Sequence, residues 1–555
     1  MASTLSLSDG RYGSRILHIP SHILAAAIEA LFLTNVFPER LPAQNAFLWA
    51  FMRTFALHFA FILSYIVFYL GLIYPYFVSP IRHFPTPSAS TSPLARISRG
   101  MFTLPPGTRF WEWSKDTDND GVLLLRSPLH RNRLLLTSPR ALADVLLHNS
   151  YDFEKPKGVR SFLRSVLGDG LIIIEGEEHK FQRRHVMPAF SFRHIKELYP
   201  MMWRKSLALT ERLNFEAIEG KTIEMYSWAS KVTLDIIGIA GLGREINALQ
   251  NSDDELVRCY EELLEPSPQK LVFFVAQAYG PAKLVKMLPL RLNRVFSETT
   301  STLRSICGRL VREKREAIKT NADDHFDILS ILIKSNDFSD DALVDQLLTF
   351  LAAGHETTSS TFTWLTFLLA LHPNVQSRVR EEVRQALPGR PAKDTDVDLS
   401  AVLESLPYLN GACNETLRLY PTVPITVRTS VRETRILDRP IPSGTNVIIC
   451  PWAVNRNPKL WGPDAGEFKP ERWIDDGKPN NSGGADSNYS NLTFLHGPRS
   501  CIGQNFAKAE LRCLLAAFVG AFEWTMIDEE KDIIPAGVVT IKPRNGLHLR
   551  LRPLP

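Results

Sequence analysis

Cysteine is scarce in this sequence, and so is an excess of charge of either sign. Six cysteines occur among 555 residues, and none of them forms a C-x-x-C pair. This spacing argues against a disulfide scaffold and against zinc, and it favours a reducing compartment for the main domain. The net charge of +5 is too weak to indicate nucleic-acid binding, and no Lys/Arg-rich run interleaved with aromatic residues accompanies it.

The sequence also lacks an internal repeat and any recognisable flavin or nicotinamide domain. Its composition, 45% hydrophobic and 22% charged, is typical of a globular protein rather than a disordered one. Apolar periodicity predicts mostly helix from about residue 183 to residue 350. Short strands are predicted at 122–125 and 133–137, and again within 428–454 and 538–551. The expected fold class is therefore mainly α with minor β.

One long apolar run has no formal charge, at residues 55–73. With its flanks it approaches the ~20 residues that cross a ~30 Å hydrocarbon core, so we predict a transmembrane helix at 54–77, with a buried core helix as the alternative. The segment 1–53 before it contains a shorter apolar stretch at 23–36, which predicts an interfacial or buried helix and leaves spanning open. A Pro/Ser-rich linker follows at 78–99, and a catalytic domain is expected at 100–555.

Residues 494–503, FLHGPRSCIG, place a cysteine in a tight loop. Gly497 and Gly503 remove side chains where the backbone must turn sharply or let a flat group come close. Arg499 places a permanent cation two residues before the sulfur. The next residues predict a helix, whose positive end favours a thiolate at Cys501. The pattern suits a ligand to a large planar metal cofactor, and a buried cysteine in an ordinary turn is the alternative.

The spaced residues Phe-x-x-Gly-x-Arg-x-Cys-x-Gly resemble the haem-binding loop of the cytochrome P450 family. The resemblance implies that Cys501 is the axial thiolate to the iron of haem b. It also implies that Phe494 packs beside the loop, that Gly503 belongs to the haem-binding set and that Arg499 meets a haem propionate.

Residues 347–360, LLTFLAAGHETTSS, place glycine and two threonines inside an apolar helix. Gly354 costs about 1 kcal/mol relative to alanine, so this helix needs room beside its backbone, or else it is simply kinked by its hydroxyls. The run resembles the family's Ala/Gly-Gly-x-Asp/Glu-Thr-Thr motif. That resemblance implies that Glu356 and Thr357 deliver protons for O–O cleavage, which favours oxygen activation over rearrangement of a peroxide.

Two further regions resemble propionate-binding parts of the family. His179 and Arg183 share one face of a basic helix, where the family usually has Trp-x-x-x-Arg, and a solvated charged face is the alternative. Arg428 matches a second propionate-binding arginine. Asn455 stands where the family has a histidine, so any propionate contact from it would be weaker.

Glu415 and Arg418 lie three residues apart and can pair on one helix face, although Glu-x-x-Arg alone is a weak motif. The sequence FKPERW at 468–473 is close to the family's Pro-Glu-Arg-Phe. The resemblance implies that Glu415, Arg418 and Arg472 form a buried salt-bridged triad, with Trp473 in place of phenylalanine. The motifs occur in the family's order within residues 100–555.

The resemblance as a whole implies a membrane-bound haem-thiolate monooxygenase with the cytochrome P450 fold behind an N-terminal transmembrane helix. Its substrate would be a lipophilic small molecule, hydroxylated or epoxidised as in fungal members that make secondary metabolites of the terpenoid or polyketide type. Electrons would come from NADPH through a separate cytochrome P450 reductase, or by way of cytochrome b5, with Lys508 and Arg512 as a basic docking face. The protein would cross the endoplasmic-reticulum membrane once, with the catalytic domain in the cytosol.

Three alternatives stay open at this point. One is a fatty-acid or xenobiotic hydroxylase of the same family. The second is a haem-thiolate isomerase or dehydratase, which would need no external electrons. The third is a non-catalytic haem-binding membrane protein, which would bind haem and ligand without turnover.

Overall fold

The computed structural model describes most of the chain. The described residues are 19–36, 45–87, 105–126, 132–250, 255–264, 268–279, 285, 287, 290–320, 327–388, 397–537 and 539–555. Residues 88–99 of the predicted linker and residues 1–18 of the N-terminal segment lie outside these ranges.

Helices dominate the described residues, which confirms the predicted mainly α class. They are α1 (Ile19–Val36), α2 (Ala46–Ser64), α3 (Thr108–Asp116), α4 (Pro139–Ala143), α5 (Lys157–Leu167), α6 (Gly176–Val186), α7 (Phe192–Ile218), α8 (Met225–Leu242), α9 (Glu255–Leu264), α10 (Pro268–Tyr279), α11 (Arg291–Lys319), α12 (Ile328–Ser335), α13 (Asp340–Leu371), α14 (Pro373–Ala386), α15 (Leu399–Ser405), α16 (Pro407–Leu419), α17 (Pro451–Val454), α18 (Pro458–Trp461) and α19 (Gln504–Ala521). The π-helical segments Tyr65–Val78 and Asp144–His148 continue α2 and α4.

The strands of the described chain are short and form small sheets. They are β1 (Val122–Leu125), β2 (Arg133–Leu136), β3 (Phe153–Glu154), β4 (Ile223–Glu224), β5 (Thr426–Ser430), β6 (Thr434–Ile436), β7 (Arg439–Ile441), β8 (Asn446–Ile449), β9 (Ile474–Asp475), β10 (Lys478–Pro479), β11 (Phe522–Met526), β12 (Pro535–Ala536), β13 (Lys542–Pro543) and β14 (His548–Pro553). The largest sheet has the order β1-β2-β8-β5-β3, in which only β2 and β8 are parallel. A second sheet has the order β11-β14-β4, and β6–β7, β9–β10 and β12–β13 form two-stranded pairs.

Polar side chains fix the first turns of several helices around the centre of the molecule. Ser138 precedes α4, with its hydroxyl accepting from the backbone N–H of Ala141 and with proline at the first helical position. Ser339 accepts in the same way from Ala342 at the start of α13. Because the first N–H groups of a helix have no partner within the helix, these caps set where the helices begin.

Two apolar helices lie side by side at the N-terminal end of the described chain. The Thr54 hydroxyl on α2 donates to the Ala26 carbonyl on α1 over 3.0 Å, and the rings of His22 and His58 meet edge-on at 5.4 Å. Most of the exposed large apolar side chains of the described chain belong to these two helices and the π-helical segment after α2. Apolar surface exposed on this scale is typical of membrane contact.

One described helix, Ala46–Tyr69, is long and apolar enough to cross a membrane by its length and composition. It overlaps the predicted span at 54–77 but begins eight residues earlier. The apolar stretch of α1 is shorter than a full span. The structure therefore supports a membrane anchor at this end of the chain.

The remaining described chain contains four hydrophobic clusters, of which the two largest organise the fold. The larger one joins most of the helices from α6 to α19 with β11 and β14. The smaller one packs β1, β2 and β8 against α4 and the β6–β7 pair. The loop before α19 lies between them, because Phe494 packs against the helical cluster and Leu495 against the sheet cluster.

Candidate functional site

The loop that carries Cys501 is fixed by its own backbone. The Cys501 N–H donates to the Phe494 carbonyl over 2.8 Å. Gly497 has φ of 76°, and a Cβ there would lie 2.0 Å from the Leu146 carbonyl oxygen, so only glycine fits. Leu495 also has a positive φ, 53°, which is uncommon for a residue with a side chain. Two residues with left-handed backbone thus lie within six residues before the cysteine, and strained backbone of this kind is common at functional sites.

Cys501 is both exposed and surrounded by protein. Its side chain has exposed surface, yet burial is the largest influence on the pKa of its thiol and raises it. Both observations hold if the sulfur borders an internal space large enough to admit a ligand. The Gly503 N–H and the charge of Arg183 act against burial and favour the thiolate. A Cβ at Gly503 would meet Phe190 at an ordinary 3.8 Å, so glycine adds open room beside the sulfur.

The middle of α13 has a partly exposed face, although the helix runs through the core. Ala353, Glu356 and Thr357 keep exposed surface, whereas the helix is buried on either side of them. The Thr357 hydroxyl donates to the Ala353 carbonyl over 2.7 Å. The Glu356 carboxylate accepts from the Thr540 hydroxyl over 2.6 Å. Burial raises the pKa of Glu356, while the Thr540 hydrogen bond and the charge of Lys542 lower it. A carboxyl whose pKa is raised by burial thus lies beside the Thr357 hydroxyl on one face.

Gly354 gives room to a neighbouring helix. A Cβ there would lie 2.9 Å from the Ile237 Cδ1 atom of α8. Beside it, the His355 Nε2 atom and the Ser230 hydroxyl are 2.8 Å apart, and the Thr233 hydroxyl donates to the His355 carbonyl over 3.2 Å. The sequence correctly indicates that α13 needs space at this glycine, but α8 fills that space.

Several predicted residues meet around Glu175, the residue before α6. The Arg499 Nη2 atom lies 2.8 Å from a Glu175 carboxylate oxygen. Lys155 donates its backbone N–H to the same carboxylate over 2.9 Å, and its ammonium lies 3.5 Å away. Arg428 is buried nearby and donates to the Thr426 hydroxyl over 2.8 Å. We call Lys155, Glu175, Arg428 and Arg499 the cation cluster.

Positive charge exceeds negative charge in the cation cluster. Burial, followed by the charges of Arg428 and Arg499, lowers the pKa of Lys155 to about 7 against the opposing effect of Glu175. Burial is also the main reason that the pKa of Arg428 is lowered to about 10. When Lys155 is protonated, three cationic side chains surround one carboxylate, which leaves two formal positive charges uncompensated within the cluster. A buried charge is costly unless it is paired, so the cluster fits a ligand with two negative charges.

His179 and Arg183 lie on one face of α6 but have different neighbours. The His179 Nδ1 atom is 3.2 Å from the Tyr151 hydroxyl. Burial, followed by the nearby cations, lowers the pKa of His179 to about 4, so its ring is neutral at neutral pH. Arg183 donates to the Ser500 carbonyl over 2.6 Å, which anchors α6 to the residue before the cysteine.

These features together fit a haem. The cysteine is exposed although its surroundings raise the pKa of its thiol by burial, and a glycine leaves room beside it. The arginine two residues before the sulfur belongs to a cluster that is short of two negative charges. A haem presents an iron to the sulfur and two propionates to the cations, so the residues present match its donor and charge requirements.

Glu415, Arg418 and Arg472 form a buried polar cluster of their own. The Arg418 guanidinium donates to both oxygens of Glu415, over 2.8 and 2.7 Å, and Arg472 donates over 3.3 Å. The Trp473 indole N–H adds a donor at 2.9 Å, and the Lys469 backbone N–H adds another at 3.1 Å. This carboxylate therefore has five donors. The tryptophan that replaces the expected phenylalanine contributes one of them.

Asp464 completes the charge balance of this second cluster. It lies 2.7 Å from Arg472, whose hydrogen bond lowers the pKa of Asp464 to about 2. The remaining N–H groups of Arg418 donate to the carbonyls of Asn455 and Ala465 over 2.7 and 2.6 Å. Two buried arginines thus face two carboxylates, while the half-exposed Lys469 ammonium lies 3.1 Å from Asp464 on the solvent side. We call Glu415, Arg418, Asp464 and Arg472 the balanced cluster.

Some of these residues have no motif that would reveal them. Lys155 and Glu175 are 20 residues apart in the chain, and only the fold places the lysine beside the carboxylate. Thr540 is nearly 200 residues from Glu356. Lys155 lies in the stretch Tyr-Asp-Phe-Glu-Lys-Pro and Glu175 begins the stretch Glu-Gly-Glu-Glu-His, and neither stretch indicates the contact between them.

Asn455 and Arg512 have roles other than those expected. The Asn455 amide donates to the Arg418 carbonyl over 3.0 Å and to the Thr493 hydroxyl over 2.9 Å, so it joins α16 to the cysteine loop. Arg512 points inward, where it donates to Asn410 over 2.6 Å and to the Tyr199 hydroxyl over 3.1 Å. Because these hydrogen bonds hold Arg512 inside the protein, it does not point outward in the basic docking face predicted from Lys508 and Arg512.

Comparison with known proteins gives one family. The family model described as cytochrome P450 matches residues 122–549. The chain is 42% identical over 494 residues to the cytochrome P450 monooxygenase sphH of Aspergillus fumigatus, covering 88% of this chain and 91% of that protein. It is 38% identical over 495 residues to the cytochrome P450 monooxygenase ptmK of Penicillium ochrochloron, covering 88% and 96%.

The match spans both the cysteine loop and the threonine-bearing helix, and each of the two relatives covers 88% of this chain. The family, the fold class and the enzyme class predicted from the sequence are therefore confirmed. This chain belongs to the cytochrome P450 family and is a haem-thiolate monooxygenase.

Proposed function

We propose that this enzyme oxidises a lipophilic small molecule by hydroxylation or epoxidation in the biosynthesis of a fungal secondary metabolite of the terpenoid or polyketide type. The observation that carries the oxidative part is the Cys501 sulfur, which borders an internal space next to a cluster with two uncompensated positive charges. The relatives sphH and ptmK, both from fungi, support the biological setting.

The proposed haem site uses nearly all the residues singled out from the sequence. Cys501 would supply the thiolate that binds the iron, Gly503 would leave clearance beside it, and Phe494 packs against the loop. Arg499, Arg428 and Arg183 would bind the propionates, with His179 as a neutral hydrogen-bonding neighbour, and we add Lys155 to this set. When bound, haem b supplies the iron at which dioxygen is activated, and thiolate ligation favours O–O cleavage.

Glu356 and Thr357 form the proposed proton-delivery pair. Both lie on the partly exposed face of α13. The Thr357 hydroxyl already donates to a backbone carbonyl, so its oxygen is oriented to accept from a water. Burial raises the pKa of the Glu356 carboxyl, which brings it closer to the range in which a carboxyl exchanges protons at neutral pH.

A lipophilic, largely neutral substrate suits the residues near this face. Val423 and Ile425, between α16 and β5, keep partial exposure, and so does Ala353 on α13. Phe162 of α5 packs against Phe274 of α10 with ring centroids 4.9 Å apart. Apolar and aromatic lining of this kind is typical of sites for apolar ligands.

We propose that electrons come from NADPH through a separate cytochrome P450 reductase, with cytochrome b5 as a second donor. The sequence predicts no flavin or nicotinamide domain, and the described fold around the family match at residues 122–549 is that of a cytochrome P450. Omission of the reductase should abolish turnover supported by NADPH. Turnover without reductase or NADPH would instead indicate an isomerase or dehydratase.

We propose that the anchor lies in the endoplasmic-reticulum membrane. In this arrangement residues 1–53 are the N-terminal segment, residues 54–77 span the membrane, residues 78–99 are the linker and residues 100–555 are the cytosolic catalytic domain. A single crossing places the N-terminus in the lumen. A glycosylation site added before residue 19 should then be modified in microsomes. Absence of modification, with a cytosolic catalytic domain, would mean that α1 crosses the membrane beside α2.

The central test is the absorption spectrum of the purified, reduced protein under carbon monoxide. Thiolate-ligated haem gives a strongly red-shifted Soret band, which Cys501→Ala should abolish. Cys307→Ala, at a buried cysteine of α11 outside the site, should keep the band. Loss of the band in both variants, or its survival in Cys501→Ala, would overturn the assignment. Intact haem binding without any turnover would indicate a non-catalytic carrier.

A further inference from the structure

We propose that Thr540 is a positioning residue for Glu356, so that the β12–β13 hairpin fixes the carboxyl that supplies protons to the site. This inference rests on the proposed role of Glu356. It adds a residue from the C-terminal end of the chain that belongs to none of the sequence motifs. It also makes the placement of the proton donor depend on how the hairpin docks.

The hairpin docks on one face of α13. Glu356, Ser360 and Trp364 follow one another at intervals of four residues and therefore share that face. Thr540 donates to Glu356 over 2.6 Å. Ser360 and the Trp364 indole N–H both donate to the Ile541 carbonyl. Three successive turns of the helix are thus bound to two adjacent residues of the hairpin.

The hairpin is also held from its other side. The Ile541 N–H donates to the Thr422 carbonyl over 2.9 Å, and Thr422 begins the segment that leads through Val423 into β5. The Lys542 ammonium lies 4.0 Å from the centre of the Tyr226 ring of α8. These contacts, made by the two residues that follow Thr540, hold this part of the hairpin between α13, α8 and the segment before β5, and so keep the Thr540 hydroxyl close to Glu356.

The hydrogen bond has a chemical consequence for Glu356. A hydroxyl that donates to one carboxylate oxygen stabilises the charged form and orients the group, so the second oxygen is presented in a defined direction. Burial has the opposite effect on the pKa of Glu356, and Lys542 acts in the same direction as Thr540. Without Thr540, the carboxyl would keep its burial but lose its orientation.

The test compares Thr540→Val with Ser360→Ala in the full-length, haem-loaded enzyme with reductase and NADPH. Both variants remove one hydrogen bond between the hairpin and α13, but only the first touches Glu356. Without an organic substrate, dioxygen is reduced either to hydrogen peroxide or, if the O–O bond is cleaved with protons supplied, to water. Thr540→Val should raise the peroxide released per NADPH by about twofold or more. Thr540→Ser should restore the wild-type ratio, and Ser360→Ala should keep it.

A second readout does not depend on turnover. The carboxyl infrared band of protonated Glu356 is identified by its loss in Glu356→Gln, and it should move to higher frequency in Thr540→Val, because a hydrogen bond to the carboxyl is removed. An unchanged band and an unchanged peroxide ratio would refute the positioning role. Equal shifts in Thr540→Val and Ser360→Ala would refute it as well, since they would indicate hairpin docking in general. A red-shifted carbon monoxide band in all variants would show that the haem-thiolate function stands in either case.

Discussion

Glu175 and Glu415 are both buried carboxylates bound by arginine, yet their surroundings differ in charge. The balanced cluster around Glu415 contains two arginines and two carboxylates, and Glu415 accepts from five donors. The cation cluster around Glu175 contains three cations and one carboxylate. The first is complete within the polypeptide, whereas the second is two negative charges short.

This difference in charge balance distinguishes a structural ion pair from a ligand-binding site. A buried ion pair that satisfies its own charges and hydrogen bonds specifies geometry. A buried group of like charges is unfavourable by itself, so it indicates that something else pairs with it. Removing a charged side chain should therefore lower the stability of the protein in the balanced cluster, whereas in the cation cluster it should leave the stability of the haem-free protein unchanged or raise it. The following predictions test that expectation.

The largest effect is expected from Glu415→Ala. It leaves Arg418, whose side chain is fully buried, without its carboxylate, and breaking a buried pair in this way costs about 3–5 kcal/mol. The free energy of unfolding from denaturant titration should fall by this amount, or the yield of folded protein should collapse. Glu471→Ala is the matched control, because Glu471 is the neighbour of Arg472 in FKPERW and its side chain is 43% exposed. Similar losses in the two variants would contradict a structural role for the balanced cluster.

Arg428→Gln should have the opposite signature. The haem-free protein should unfold at the same or a higher denaturant concentration, because one of three like charges is gone. Haem affinity, measured by titrating the haem-free protein, should fall about 10- to 100-fold, as expected for loss of a charged hydrogen bond worth about 1.5–3 kcal/mol. A large loss of stability without haem, with unchanged affinity, would place Arg428 with the structural arginines.

Lys155 should make the stability of the haem-free protein depend on pH. Its pKa is lowered from 10.5 to about 7 on folding, so between these values the unfolded chain binds more protons than the native protein. Stability therefore rises with pH across this window, at up to about 1.4 kcal/mol per pH unit, and is lost as pH falls through 7. Unfolding at about pH 7 and pH 9 should show this slope in the wild type and a smaller slope in Lys155→Met.

Haem binding provides the control for that measurement. Two propionates near Lys155 would raise its pKa and reduce the slope between the same pH values. An equal slope in haem-free and haem-loaded protein would argue that the anion binds elsewhere.

The sequence predicted the balanced cluster better than the cation cluster, for a physical reason. Glu415 and Arg418 lie on adjacent turns of α16, so spacing alone places them together. Lys155 meets Glu175 only because the turn after β3 is folded against the start of α6, and no local pattern encodes that contact. The positive φ at Leu495 was equally invisible, since leucine gives no signal of a left-handed backbone.

The same limit applies to α13 and to the anchor. Gly354 indicated a need for space, but the sequence could not say that Ile237 of α8 would occupy it. The long apolar run indicated a helix, whereas its start at Ala46 and its packing against α1 depend on tertiary contacts such as Thr54 with Ala26. Elements were predictable from local patterns, and partners from distant parts of the chain were not.

The smallest effect tests how complete the balanced cluster is. Trp473→Phe removes one of the five donors to Glu415 and keeps an aromatic ring in place. Trp461→Phe is its matched control, because the indole N–H of this buried tryptophan donates to the neutral Ser490 carbonyl over 3.0 Å. Hydrogen bonds to charged groups contribute more than neutral ones, so Trp473→Phe should be less stable than Trp461→Phe by about 1 kcal/mol in denaturant unfolding. Haem affinity should be unchanged in both. If Trp473→Phe is instead the more stable variant, four donors already satisfy the carboxylate, and the tryptophan is there for packing against Trp461.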